Sequence, residues 1–158
     1  MNAHEWIRNL ELEPHPEGGF YKSTYRSGFV SEFTQGERPL YTSIYFLLRS
    51  QDVSHFHRLQ SDEIWYFHGG SSLTVHMITP DGQYEEVALG LDIKNGEVPQ
   101  FIVSKHTIFG SSVKGENTFS LVGCMVSPGF DFADFELFDQ EELLSQYPEY
   151  HEVIKKLT

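Results

Sequence analysis

The chain has 158 residues, 39% apolar and 15% aromatic, enough for one core that takes roughly 70% of the unfolded surface out of water. Its formal charge of −12 excludes a nucleic-acid binder, which needs clustered Lys and Arg, and argues against an anionic membrane surface. Cys124 is the only cysteine, so no internal disulfide forms, and its apolar run FSLVGCMV marks a buried thiol rather than a nucleophile.

The N-terminal MNAHEWIRNLEL lacks the basic start and apolar core of a signal peptide, and no run reaches a membrane span, so a cytoplasmic setting is expected. Trp6, Ile7 and Leu10 recur at helical spacing and predict a short helix over 3–11. EPHPEGG (13–19) stops it. Gly18 and Gly19 read first as a tight turn into a strand; the alternative lays this loop over a pocket, with His15 and Glu17 near a ligand. Short strands follow at 20–27, 40–49, 53–59, 62–68, 72–79, 84–89, 99–104, 106–112, 119–127 and 134–138. PDGQ (80–83) is a hairpin turn, because Pro sets the first torsion and Gly permits a positive one. Asp139 caps a helix start, with Glu142 three residues on completing a capping box, and Pro148 opens a second helix carrying Tyr150, Val153, Ile154 and Leu157. The order predicts an all-β sandwich or barrel with helical ends, a single domain over 1–158 with the barrel at about 20–138 and the C-terminal helices at about 139–157.

The stretch SHFHRLQSDEIWYFHGG (54–70) carries the chemistry. On a strand alternate residues share a face, so His55 and His57 point one way, and Glu63, Trp65 and Phe67 share a face of the next strand. If the strands are neighbours, two imidazoles and a carboxylate converge, which is a donor set that a divalent metal accepts.

This stretch resembles the first cupin motif, His-x-His, then Glu, then Gly, at His55, His57, Glu63 and Gly70, with one extra residue before Glu63. Together with HPEGGFYKSTYRS (15–27), TSIYFLL (42–48), PQFIV (99–103) and SLVGCMVSPGFDFADFEL (120–137), the chain resembles the Cupin_5 family over roughly residues 5–140. That family is labelled predicted sugar epimerases. The resemblance implies a double-stranded β-helix, a jelly-roll barrel with one open-mouthed pocket, and a homodimer. It departs at the second cupin motif: aligning VSKHTIFGSS (103–112) puts Phe109 where the last histidine ligand belongs, unless a register shift brings His106 inward.

Three functions follow from the resemblance. The nominal one is a sugar-nucleotide epimerase or isomerase, with His55 or His57 as base, Glu63 orienting the ring, and Tyr25 or Tyr45 as acid. The second is a non-catalytic pocket for a small polar ligand, with Trp65 stacking and Arg26, Thr42 and Gln100 supplying hydrogen bonds. Arg26 in an acidic chain points to an anionic ligand. The third is a metal enzyme holding Zn, Fe, Ni or Mn on His55, His57 and Glu63.

Overall fold

Asn2 and Glu5 fix where the chain first turns helical. In the computed structural model, which describes residues 1–158, the Asn2 side chain accepts the Glu5 N–H at 3.0 Å and the Glu5 carboxylate accepts the Asn2 N–H at 2.7 Å. This reciprocal box starts α1 (Ala3–Asn9). Trp6 and Ile7, with Leu10 just beyond, pack with Leu12, Leu47 and Leu121 as an outer layer on one sheet.

The predicted strands are present: β2 (Phe20–Arg26), β5 (Thr42–Arg49), β6 (Val53–Arg58), β7 (Asp62–Gly70), β8 (Leu73–Ile78), β9 (Tyr84–Leu89), β10 (Gln100–Val103), β11 (Ile108–Val113), β12 (Phe119–Ser127) and β13 (Glu136–Leu137). Three more were not legible in the sequence. β1 (Glu13–Pro14) is two residues long, and the hairpin β3 (Val30–Phe33) with β4 (Gly36–Pro39) pairs only with itself, so it has little apolar alternation to read.

Two sheets face each other, in the orders β1-β2-β5-β12-β7-β10 and β13-β6-β11-β8-β9. Sequence neighbours therefore often lie on opposite sheets, as a jelly roll requires. Between them Phe46, Leu48, Trp65, Val75, Met77, Phe109 and Val122 form the central core. Behind the second sheet, Phe56, Ile78 and Ile108 pack under Leu143 of α2 (Gln140–Gln146) and Ile154 of α3 (His151–Lys156). Asp139 starts α2 by accepting the Glu142 N–H at 2.8 Å, but the Glu142 carboxylate does not bond back, so the expected box is half formed. Pro148 begins the 3-10 turn leading into α3. No helix is long and apolar enough to cross a membrane.

Candidate functional site

Alternation decides which side chains enter the barrel, and two of the three bulges reset it around the site. β2 pairs regularly with β5 from Phe20 to Ser23, then skips a residue before Tyr25. An inserted residue reverses the facing of everything after it. Tyr21 and Ser23 face the interior before the skip; after it Arg26 does, opposite Thr42, and Tyr25 is left 71% exposed. The second skip is in β6. Phe109 lies opposite His57 but Ser111 lies opposite Ser54, so His55 and Phe56 share the place facing Gly110. A Cβ on Gly110 would stand 2.5 Å from the Ser54 carbonyl oxygen, so a side chain has no room there. His57 faces the cavity, Phe56 packs under the C-terminal helices, and His55 is the extra residue, lining no part of the cavity.

The loop before β2 completes the floor. Gly18, at φ +110°, runs so close to β6 that a side chain would collide with the Val53 carbonyl, and the Glu17 carbonyl accepts the His55 N–H at 2.7 Å. Glu17 is thereby carried into the barrel, with Oε2 2.9 Å from His57 Nε2. On the other side of the ring, His57 Nδ1 lies 2.7 Å from the His55 carbonyl oxygen. A carbonyl only accepts, so Nδ1 donates; Nε2 faces a carboxylate and donates as well, which makes the ring an imidazolium. Burial alone would lower the His57 pKa, but the charge and hydrogen bond of Glu17, aided by the His55 carbonyl, raise it above the ordinary histidine value. Burial would likewise raise Glu17, and His57 holds it below the usual carboxylate value. The buried Ser54 hydroxyl meets no partner at hydrogen-bond geometry, yet lies near enough to Glu17 to favour its charge. His15 flanks the pair, its Nδ1 accepting the Glu17 N–H at 3.1 Å, and burial lowers its pKa.

Glu63 has the opposite character. Burial first, and repulsion from Glu17 second, push its pKa up to about 8 against the pull of His57. At neutral pH it is a carboxylic acid. Burial and the neighbouring Glu63 also push up the Cys124 thiol, which stays protonated. The floor thus holds one carboxylate, one imidazolium and one neutral acid. Above it a cavity of about 210 Å³ is walled by Tyr21, Ile44, Leu59 and Val126, and rimmed by Arg26, Thr42, Phe130 and Phe132. Thr42 Oγ1 accepts the Phe130 N–H at 2.9 Å, which leaves its own proton to donate.

Several expectations are corrected. His55, His57 and Glu63 do not converge, because the β6 bulge removes His55. No group of three or more His, Cys, Asp or Glu side chains is arranged to hold a metal ion. Both His57 nitrogens are engaged, and Phe109, its ring centroid 4.1 Å from that of His57, fills the further ligand position. The donors present do not fit Zn, Fe, Ni or Mn. His106 is exposed in a turn at φ +68° and does not replace the missing ligand. Tyr25 is outside the cavity, and Tyr45 belongs to the layer under α1, beside His68. Trp65 does face inward but is 1% exposed, packed edge-to-face on Phe46 and Phe109 in the core, out of a ligand's reach. Gln100 is exposed on edge strand β10, opposite Tyr66. Of the expected residues, Arg26, Thr42, His57 and Glu63 line the cavity.

A model of Cupin_5, described as "Cupin superfamily (DUF985)", matches residues 4–138. The chain belongs to this family. A solved structure from Shewanella oneidensis superposes on this cupin with a TM-score of 0.94 at 56% identity, covering 100% of this chain and 98% of that one. An uncharacterized Saccharomyces cerevisiae protein is 29% identical over 152 residues, 87% of this chain and 76% of that protein. Oxalate decarboxylase from Bacillus subtilis matches with a TM-score of 0.58 at 12% identity, over 92% of this chain and 36% of that one, and shows the shared cupin fold alone.

The site residues that the sequence did not single out are Tyr21, Phe130 and Phe132, with His15 and Glu17 present only in the less favoured reading of the EPHPEGG loop. The available signal was the pairing of an acid and a histidine with a diglycine, which lets the backbone approach another strand closely.

Proposed function

We propose that this cupin is an acid–base enzyme that moves a proton at the carbon beside a carbonyl, an isomerase or epimerase acting on a small sugar-like compound. The observation that carries this reading is the pair of buried carboxyl groups, Glu17 and Glu63, beside His57 at the floor of one cavity, where their surroundings push their pKa values in opposite directions. Pairs of titratable groups whose surroundings push their pKa values apart assign an acid and a base. Glu63 is the acid: it protonates the carbonyl oxygen as the C–H electrons become the enol double bond. Glu17 takes the carbon-bound proton, and the His57 imidazolium stabilises the charge that each carboxyl group gains or loses. Glu63, now a carboxylate, takes a hydroxyl proton back as the enol collapses to the carbonyl. In an isomerisation Glu17 returns its proton to the other carbon. In an epimerisation Tyr21, which replaces Tyr25, protonates the other face, and exchange with water reprotonates the tyrosinate and discharges Glu17.

Binding without turnover is the second reading. It is favoured by the lack of a free nitrogen on His57, which removes the histidine base first expected. We keep the cytoplasmic setting, for which the single buried thiol speaks, and the homodimer as parts of the proposal. The test is proton NMR in D2O with dihydroxyacetone, fructose, fructose 6-phosphate and glucuronate. Exchange at the carbon next to the carbonyl is expected with the parent, and about a hundredfold less with Glu63→Gln or Glu17→Gln. Exchange no faster than in buffer throughout, or equally fast in both variants, would sink the acid–base reading and leave a binder.

A further inference from the structure

Arg26 differs from the other arginines packed on the barrel. Arg38 grips Asp134 through two hydrogen bonds, at 3.0 and 2.9 Å. Arg49 grips Asp52 at 2.7 and 2.9 Å, and Arg58 lies on Glu136 at 3.0 and 2.8 Å. Arg26 makes no ion pair and no side-chain hydrogen bond, although the chain carries 23 acidic residues against 11 basic ones. It is also the one Arg or Lys on the cavity wall. An unpaired, solvent-exposed Arg on the lining of a cavity, in a chain with twice as many acids as bases, is a free fork for a planar or tetrahedral anion.

The charge inside the cavity favours the same ligand. The Glu17 carboxylate and the His57 imidazolium cancel at the floor, and Glu63 is uncharged there. Arg26 therefore leaves the cavity with one net positive charge inside a molecule of formal charge −12. Such a local excess draws an anion inward against the field of the whole protein. The volume limits what enters. About 210 Å³ is below the roughly 300–1,000 Å³ of sites for drug-sized ligands. The same rim carries aromatic rings: Phe130 and Phe132 meet edge-to-face at 5.0 Å, with Phe132 59% exposed.

We infer that the substrate is a small hydroxy-carbonyl compound bearing one carboxylate or phosphate monoester, bound with that anion on Arg26 and Thr42 and its carbonyl carbon at Glu17 and Glu63. The inference rests on the acid–base reading of the same cavity for the orientation, and on Arg26 alone for the anion. It excludes a sugar nucleotide as the preferred ligand, because its base and diphosphate exceed the enclosed space.

Calorimetric titration with glucuronate, fructose 6-phosphate, fructose and UDP-glucose tests it, on the parent, Arg26→Ala, Arg26→Lys and the surface control Lys94→Ala. The expected result is binding of glucuronate or fructose 6-phosphate to the parent and to Lys94→Ala. Which of the two binds more tightly separates a carboxylate substrate from a phosphate one. Arg26→Ala should weaken that binding about tenfold or more, with Arg26→Lys between the two. Fructose should bind more weakly than either anion and be indifferent to Arg26. The inference is overturned if neither anion binds, if Arg26→Ala binds as the parent does, or if fructose or UDP-glucose binds at least as tightly as the anions. Deuterium exchange separates the two proposals. Arg26-dependent binding without exchange rejects the acid–base reading and keeps the anion site; exchange with fructose alone does the reverse.

Discussion

His57 and His76 stand on the same five-stranded sheet, on opposite faces, and both are nearly sealed from water, at 3% and 6% exposed. His57 looks into the barrel and is flanked by the Glu17 carboxylate and a backbone carbonyl. His76 looks out towards α3 and its hydrogen bonds go to hydroxyls, with Nδ1 2.8 Å from the Tyr84 hydroxyl and Nε2 2.9 Å from Ser112 Oγ, while the Glu86 carboxylate stands off at 3.7 Å from Nδ1. The Tyr84 proton is donated to Glu86 at 2.8 Å, so Tyr84 accepts from His76 Nδ1–H while Ser112 donates to Nε2. A neutral ring satisfies every partner. Burial first, then the Lys156 charge, bring the His76 pKa down to about 4, with Glu86 pulling the other way. Equal burial therefore does not set a histidine's charge here; one carboxylate in hydrogen-bond reach does. The inner histidine belongs to a site that stores charge, and the outer one ties β8, β9 and β11 together.

Removing Glu17 should make the inner histidine behave like the outer one. Glu17→Ala leaves a buried imidazolium without its partner, so His57 titrates below the ordinary histidine value and the fold loses about 3–5 kcal/mol near neutral pH. Urea unfolding measures the loss and nitrogen-15 NMR of the ring measures the titration. A His57 signal unmoved by the substitution would break the comparison.

Glu63→Gln sharpens it from the acid side. Between 4.5, the ordinary carboxyl value, and about 8, the folded parent keeps a proton that the unfolded chain has lost, so its stability falls as pH rises through that window. Glutamine cannot ionise. The variant should lose this slope and exceed the parent by roughly 2–4 kcal/mol at the alkaline end. Unfolding curves across the window with parallel pH slopes for both proteins would contradict it.

His76→Gln acts with the opposite sign and less strongly. The folded pKa is depressed, so parent stability is lost as pH falls from 6.5 towards about 4, where the unfolded chain binds a proton that the folded state refuses. The variant should flatten that acid limb by about 1–2 kcal/mol after solvent screening. Thermal melts at mildly acidic and neutral pH measure the flattening, and an acid limb as steep as the parent's would count against a neutral His76. Arg38→Ala should have the smallest effect on the site, although it strips the buried Asp134 carboxylate of its partner and costs the fold about 3 kcal/mol. It releases Asp134 on the short turn Phe132–Asp134, so amide exchange at Ala133 and Phe135 quickens about tenfold while His57 titrates as before.

The fold was legible because strand alternation, turn residues and helix caps all agree over most of the chain. PDGQ, Asp139 with Glu142, and the apolar strands around Leu47, Val75 and Val122 each lie where the pattern put them. The site was half legible. Glu63 followed from alternation along an unbroken stretch of β7, and His57 from its place in the His-x-His motif although the β6 bulge lies just before it. Tyr25 and His55 failed for one shared reason: a bulge adds a residue without changing composition, so the sequence carries no periodic trace of it. Gly110 and Gly18 are its indirect marks, since each accommodates backbone where a side chain would collide, but what they face emerges only with the register. The Glu63 proton is legible nowhere in the sequence, because it depends on a carboxylate 46 positions away in the chain being brought beside it.

The central claim is that Glu63 is a neutral acid beside a charged Glu17–His57 pair. Infrared difference spectroscopy across a pH titration observes it directly, through the carbonyl band of a protonated carboxyl group, in the parent and in Glu63→Gln. The account predicts a buried-acid band that disappears as pH passes about 8 and is missing from the variant. A parent whose carboxyl groups have all ionised by pH 6, or a band that persists in Glu63→Gln, would contradict it.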